Sequence, residues 1–491
     1  MTEQASISSP IIIIGTGFGG IAMAVQLLKD GRDDFIMLEK ADSLGGTWRD
    51  NTYPGAECDI PSALYSFSFA PNPTWEFKWA KQPQILSYIN EVVDRYSLRP
   101  KMRFGERVCR AEFDDAQNGW TVITHHGQRF DCQYLISAVG QLHHPNKPDI
   151  KGRDDFKGVS FHSARWNHDI DIQGKRIGVI GNAASAVQFI PEIAKTAGHV
   201  TVYQRSANWV VDKGDRPYTS LEKALARHAP WMATLYRFGL WSLSEYVVWP
   251  VIKGAKLRGA IMRAKNRMDM KRFIKDPKMR ALLTPTYPVG AKRILFSDKY
   301  YEALAFDNVS LVTNKVDSIR ETGITTADGT MHDHDVLIWG TGFHTNPFLK
   351  EIDVVGAKGR RLNVHWTGGA RAYMGIMTDG FPNLFMLYGP NTNTGHTSII
   401  FKLECQAGYI SQLLQVAERD ESQGVIAVRP DAAQDFDREM QDRLCHLAWN
   451  KVETSWYKDG DRLTNNWPGS SLEFKRRTVR PDMAHFVTKL P

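Results

Sequence analysis

Cysteine and long apolar runs are scarce in this chain of 491 residues. Its five cysteines stand at 58, 109, 132, 405 and 445, and no two share a CxxC spacing. That spacing excludes a CxxC redox disulfide and a zinc knuckle, and no metal is expected. So sparse and odd a set suits a reducing cytoplasm. No stretch reaches the ~18 uncharged apolar residues that a membrane span requires. The opening "MTEQASISSPIIIIG" has no basic segment, and its apolar run is four Ile before a glycine turn. It reads as a buried parallel strand rather than a signal peptide, so a cytoplasmic protein is expected. The net charge of +7 is mild for this length. It suits an anionic small ligand and gives no reason to expect nucleic acid.

What is present is an internal repeat. The composition, 42% hydrophobic and 23% charged, is that of a globular protein too long for one core. "IIIIGTGFGGIAMAVQLL" reads as strand, glycine turn and helix, and "KRIGVIGNAASAVQFIPEIA" repeats that grammar. The first unit closes with "FDCQYLISAVG" (130–140) and the second with "MHDHDVLIWGTG" (331–342). The expected fold is α/β, with two Rossmann-like, doubly wound dinucleotide-binding domains, the second inserted in the first. The first domain takes 1–145 and 340–491, and the second takes 146–339. A cleft between them is expected.

Residues 218–285 break the α/β pattern with an aromatic, helical and then strongly basic stretch. It has the character of a peripheral membrane helix or of a lid. Amphipathicity more often marks a core-facing stripe, so a helical insertion packed on the cleft is expected, and membrane contact is not.

Gly15, Gly17 and Gly20, with Phe18 among them, form GxGxxG directly after a strand. Such glycines let a pyrophosphate approach a helix N-terminus. Glu39 ends the next strand, where a carboxylate holds a ribose diol. The second turn, "GNAASA" (181–186), has Ala183 and Ala186 in place of the second and third glycines. Its next strand offers Arg205 where the first offers Glu39, which favours a 2′-phosphate and hence NADP. FAD on the first module and NADPH on the second are the expected cofactors. Gly340 and Gly342 would let backbone approach the flavin side.

"GGTWRDNTYPGAECD" (45–59) resembles the long fingerprint of type I Baeyer–Villiger monooxygenases. Gly45, Gly46, Trp48, Tyr53, Pro54, Gly55 and Asp59 fill every specified position. "FKGVSFHSARWN" (156–167) is similar to the second fingerprint through Phe156, Gly158, His162 and Trp166, and departs from it at Asn167. The resemblance spans about 10 to 475. It implies an NADPH- and oxygen-dependent flavin monooxygenase that turns ketones into esters or lactones through a flavin peroxide, with sulfoxidation as a side activity. It implies that Thr47, Trp48 and Asp50 contact FAD and that Tyr65 hydrogen-bonds near the flavin. Asn182, Ala183, Ala184, Ser185, Ala186, Val187 and Gln188 would cradle the NADP pyrophosphate. Arg205, Ser206 and Lys292 would hold the 2′-phosphate end, Trp456 would touch the nicotinamide ribose, and His162 would serve the interdomain hinge.

The family's central arginine corresponds to Arg293 in "YPVGAKRILFSDKYY". If that segment is extended, Lys292 and Arg293 point to opposite faces. A fixed guanidinium suits the anionic oxygens of this reaction. Bare in a dry cleft it would be a poorly compensated charge, so Asp59 is expected to be its electrostatic partner. The segments 389–398 and 455–470, rich in polar and small residues, read as mobile loops able to close the site. The expected substrate is a small hydrophobic ketone, with dioxygen as co-substrate. Two rivals remain at this point. One is a flavin monooxygenase for soft nitrogen or sulfur centres, which needs no such arginine. The other is an NADPH-dependent flavin oxidase or reductase.

Overall fold

The computed structural model describes residues 6–346, 348–419, 424–453 and 455–489. Two parallel sheets dominate. In the first, Ile11–Ile14 lies between Phe35–Leu38 and Tyr134–Ser137, with Met102–Arg103 and Leu384–Met386 outside them. In the second, Arg176–Ile180 lies between His199–Tyr203 and Val336–Trp339, with Val309–Val312 and Val159–His162 outside. The two orders correspond strand for strand. All four Ile of the opening strand are buried, because both faces of the sheet are covered: Ile11 and Ile13 pack with helices, and Ile12 and Ile14 with the strands Val108–Asp114, Gly119–Thr124 and Arg129–Cys132. Helix Phe18–Lys29 packs on helix Ile399–Ala417 over one of those faces.

The first glycine of each turn explains why the two units share a grammar. Gly15 has φ +106°, and a Cβ there would stand 2.5 Å from the Ala138 carbonyl oxygen. Gly181 has φ +97°, and its Cβ would stand 2.6 Å from the Gly340 oxygen. Each turn thus presses on the end of its own closing strand, where only glycine fits. Gly340 packs closely against Gly181 and Ala186 of the second module. The two segments that cross between the sheets also meet: His144–Pro145 pairs antiparallel with Phe343–His344.

The middle of the chain adds helices Ser220–His228, Pro230–Leu243, Trp249–Ile252, Lys256–Phe273 and Pro277–Leu282. A π-helical turn, Ser244–Val248, joins the second to the third. The apolar stripe expected to face the core does not do so. Helix Pro230–Leu243 buries none of its residues, while its Arg237 turns inward. The stripe has helical period whichever way it faces, so periodicity alone could not choose the direction.

Among the described residues no helix is long and apolar enough to cross a membrane. The five cysteines are all free.

Candidate functional site

A single cavity of about 1490 Å³ is lined by both glycine turns and by the fingerprint 45–59. A site for one small ligand measures roughly 300–1,000 Å³, so this one has room for more than one. Of the residues expected in the site, Gly15, Gly17, Phe18, Glu39, Thr47, Trp48, Asp50, Asp59, Tyr65, Asn182, Ala183, Ala184, Ser185, Gln188, Arg205, Ser206, Lys292, Arg293, Gly342 and Trp456 all line it. Gly20, Ala186 and Val187 do not. A Cβ on Gly20 would lie 2.0 Å from the Gly15 oxygen, so that glycine serves turn packing. Ala186 and Val187 are buried in the second module's core, on the helix face turned to the sheet. Their side chains are removed from the cradle expected of them.

On the first module the approach to the helix N-terminus is kept open by two glycines. A Cβ on Gly46 would lie 3.4 Å from the Gly17 Cα, in space the cavity uses. Gly17 is the N-cap, and no acidic residue stands in the first turn of the helix, which leaves an electropositive end for an anion. These features fit a dinucleotide pyrophosphate. Glu39 is already held by four donors: the Thr16 N–H (3.1 Å) and hydroxyl (2.8 Å), the Ala41 N–H (3.1 Å) and Arg49 Nη1 (3.0 Å). A carboxylate offers about four acceptor sites, so a ribose diol there must replace one of these. Trp48 Nε1 donates to the Tyr65 hydroxyl at 3.0 Å, and the Tyr65 ring meets Phe18 edge-on at 5.3 Å. One aromatic cluster thereby ties the glycine turn to the fingerprint.

On the second module Arg205 and Lys292 line the cavity together. Burial first, and then Arg205, push the Lys292 ammonium below its usual range. Neither makes an ion pair with a carboxylate among the described residues, as expected of cations that await an anion. Asn182 Nδ2 donates to Gln204 Oε1 (2.9 Å) and to the Ser206 carbonyl (3.0 Å), which fixes the turn against the strand end carrying Arg205. Gln188 departs from its expected role. Its Oε1 accepts from the Tyr53 hydroxyl at 2.8 Å, and its Nε2 donates to the Glu57 carbonyl at 3.0 Å. The amide is spent on joining the fingerprint to the second module. Gly55 completes that joint, because a Cβ there would stand 2.7 Å from the Gln188 carbonyl oxygen.

Arg293 Nε donates to Asp59 Oδ2 at 2.5 Å, and each side chain keeps 25% exposure, toward the cavity. Burial would lower the guanidinium pKa, but the Asp59 carboxylate outweighs it and raises the value above its ordinary range. Lys292 lies in a bend, and two residues after Arg293 the strand Leu295–Phe296 begins. The two side chains part, one toward Arg205 and the other toward Asp59.

His162 is buried at 2% exposure. Its Nδ1 accepts the Ala164 N–H at 3.1 Å, so its Nε2 carries the proton and donates to the Gly342 carbonyl at 2.9 Å. Burial lowers its pKa to about 4. A neutral imidazole thus clasps the returning crossing segment.

Some neighbours carried no sequence signal. Tyr388, at φ +61°, donates its hydroxyl to Asn393 Oδ1 at 2.8 Å beside Arg293. Tyr457 is fully buried near the same arginine, and burial raises its phenol to about 12. Lys213 and Lys81 bracket the Glu57 carboxylate, two residues from Asp59. His143, His144 and Glu351 place ligand atoms within 4.8 Å of one another at the crossing segments, and Lys40 and Arg107 also face that carboxylate.

The two segments expected to be mobile are largely buried and bonded to each other. Asn391 Nδ2 donates to the Leu463 and Asn466 carbonyls, and Asn393 Nδ2 to Asn466 Oδ1 at 2.7 Å. Polar composition marked them as loops, but Asn391, Asn393 and Asn466 bond across the two segments, which favours their burial.

A family described as pyridine nucleotide-disulphide oxidoreductase matches residues 12–226. A Baeyer-Villiger monooxygenase of Streptomyces coelicolor is 41% identical over the whole chain and 94% of its own length. The solved structure of an oxidized steroid monooxygenase bound to NADP superposes with a TM-score of 0.87 at 30% identity, covering 98% of this chain and 99% of that one. A structure of OTEMO in complex with FAD and NADP gives 0.86 at 27% identity over 98% and 99% of the two chains.

Proposed function

This chain belongs to the Baeyer–Villiger monooxygenases, and from that premise we propose how its own residues serve the reaction. The enzyme uses FAD and NADPH to insert one atom of dioxygen beside a ketone carbonyl, giving an ester or lactone. FAD, when bound, would supply the acceptor for the hydride of NADPH and the means of activating dioxygen. On our reading FAD lies along Gly15–Phe18, Thr47, Trp48, Asp50 and Tyr65, in a domain of 1–145 and 340–491. NADPH lies along Asn182–Ser185, with Arg205, Ser206 and Lys292 at its 2′-phosphate and Trp456 at its ribose, in a domain of 146–339.

The observation that carries the catalytic assignment is the Arg293–Asp59 pair opening into the cavity that both glycine turns line. Asp59 holds Nε, and the other guanidinium nitrogens have no hydrogen-bond partner among the described residues. Their N–H groups are free to meet the negative charge that develops on the carbonyl oxygen as its carbon becomes tetrahedral. Asp59 orients that donor set and keeps it charged; it is a positioning residue rather than a base. Ile60, Tyr388, Ile399 and Leu403 line the same cavity, which supports a small hydrophobic ketone as substrate. Sulfoxidation of apolar thioethers is the side activity we assign. The free cysteines support a reducing, cytoplasmic setting.

One coupled assay on FAD-loaded protein tests this reading. NADPH, oxygen and a panel of apolar ketones and thioethers are supplied, and products and hydrogen peroxide are measured together. Esters or lactones that match the NADPH consumed, and that vanish in Arg293→Ala, support it. Sulfoxides without esters would transfer the chain to heteroatom oxidation.

A further inference from the structure

Helix Pro230–Leu243 is amphipathic in the wrong direction for a soluble surface. Its one charged residue points inward: Arg237 donates to the Ala63 carbonyl (3.0 Å), Ser66 Oγ (2.9 Å) and the Ser66 carbonyl (3.0 Å). In the π-helical turn that follows, Glu245 is also buried. It accepts from His396 Nε2 at 3.2 Å and from the Ser471 N–H at 2.8 Å. The opposite face carries Trp231, Leu235 and Phe238, one turn apart and 67%, 61% and 59% exposed. Tyr246 extends the row at 62%, and helix Lys256–Phe273 adds Leu257 and Ile261 at 75% and 62%. Scattered apolar residues on a surface need no explanation, but a row of large ones beneath which the polar residues are turned in does.

Charge says what covers it. Residues 218–285 hold 14 Lys and Arg against 4 Asp and Glu, a net of +10. The whole chain is +7, so the remainder is −3. All of the protein's excess positive charge is therefore in the segment that exposes the apolar row. Arg258, Arg263 and Arg267, on helix Lys256–Phe273, are exposed. An exposed row of aromatic and aliphatic residues in the same segment as a dense set of exposed cations matches an interface of lipid headgroups and acyl chains, where the cations meet anionic headgroups. A second copy of this chain would bring +10 against +10.

We propose that the insertion 218–285 docks this enzyme on the surface of an anionic phospholipid bilayer, with Trp231, Leu235 and Phe238 in the acyl boundary. The anchors beneath the helix reach segments that line the cavity: Ser66 follows Tyr65, and His396 follows Thr394 by two. The docked helix is thus tied to two segments that line the cavity an apolar ketone must enter.

The test uses full-length, FAD-loaded protein and sedimentation with vesicles of phosphatidylcholine, with and without phosphatidylglycerol. The expected result is co-sedimentation with the anionic vesicles that weakens as salt rises. L235E/F238E, and separately R258Q/R263Q/R267Q, should each reduce partitioning by about tenfold or more. These positions are exposed, so the thermal midpoint and NADPH-dependent turnover of a water-soluble ketone should stay unchanged. No co-sedimentation at low salt overturns the proposal, and so does equal binding to neutral and anionic vesicles. A dimer that L235E/F238E dissociates, in protein that ignores vesicles, overturns it in favour of a second copy.

Discussion

Asp59 and Arg293 meet across 234 positions of sequence through a 2.5 Å hydrogen bond at the wall of the cavity. The bond uses one nitrogen of the guanidinium, and the others have no hydrogen-bond partner among the described residues. Arg293→Ala should lower ester formation by about 10²–10³-fold, as loss of a donor to a developing oxyanion does elsewhere. Its FAD content should be unchanged, and NADPH consumption should continue with hydrogen peroxide as the product. Arg293→Lys should recover little, because an ammonium cannot hold Asp59 and present a planar fork together. Asp59→Ala should slow oxygenation and leave FAD bound. If Asp59→Ala forms ester at the normal rate, the pair has no catalytic meaning.

Arg205 and Lys292 form a cationic pocket in which neither pairs with a carboxylate among the described residues, and burial, then Arg205, lower the pKa of Lys292. Such a pocket gains most from a doubly charged phosphate. Arg205→Ala and Lys292→Ala should each raise the KM for NADPH by about tenfold, equivalent to about 1.4 kcal/mol, with little change for NADH. The ratio of NADPH to NADH efficiency is the quantity to measure. If it is unchanged in both variants, the phosphate does not bind there.

The strand–turn–helix units were legible because Ile11–Ile14 and the small residues after them leave few alternatives. Asp59 and Arg293 were legible only through the fingerprint and an argument about uncompensated charge, since no periodicity links residues so far apart. The Tyr53–Gln188 joint left no trace, because an amide on a helix has the same appearance whether it binds a ligand or another domain. Segments 389–398 and 455–470 were misread for a similar reason: polarity predicts exposure only when the partners are water. Helix Pro230–Leu243 shows the limit of hydrophobic pattern, which gives the period of a stripe and not what it faces.

His162 gives the fold a sensitivity to acid. Burial holds its pKa at about 4, below the ordinary 6.5. Between those values the unfolded chain binds a proton that the folded chain does not, so stability falls as pH falls from 6.5 to 4. The full contribution of this one group is roughly 3 kcal/mol. Protonation would also place a hydrogen on Nδ1, which then no longer accepts the Ala164 N–H. Thermal midpoints of the parent and of His162→Gln, compared at pH 7 and pH 4.5, isolate this effect from other acid-sensitive groups. The parent should lose more than the variant; equal losses would show that His162 does not carry a buried neutral ring.

Gly55 separates the role of the fingerprint in joining domains from its role beside the flavin. It has φ +78°, and an added Cβ would stand 2.7 Å from the Gln188 carbonyl oxygen, a backbone atom that cannot step aside. Gly55→Ala should therefore push helix Ala184–Ile193 away from the fingerprint and break the bonds of Gln188 to Tyr53 and Glu57. On the placement of the cofactors proposed above, FAD would lie on the other side of that contact, so its content should not change. The hydride donor would be carried by the displaced module, so flavin reduction by NADPH should slow by tenfold or more, since misplacement of about 1 Å costs on the order of 10²-fold. Gln188→Ala keeps the backbone in place and removes only the side-chain bonds, worth about 1 kcal/mol each, and should slow reduction less. Stopped-flow bleaching of the flavin under anaerobic conditions reads this step alone. Loss of FAD from Gly55→Ala would mean that the glycine is needed by the flavin pocket itself, and normal reduction would mean that the joint does not set the distance between the two cofactors.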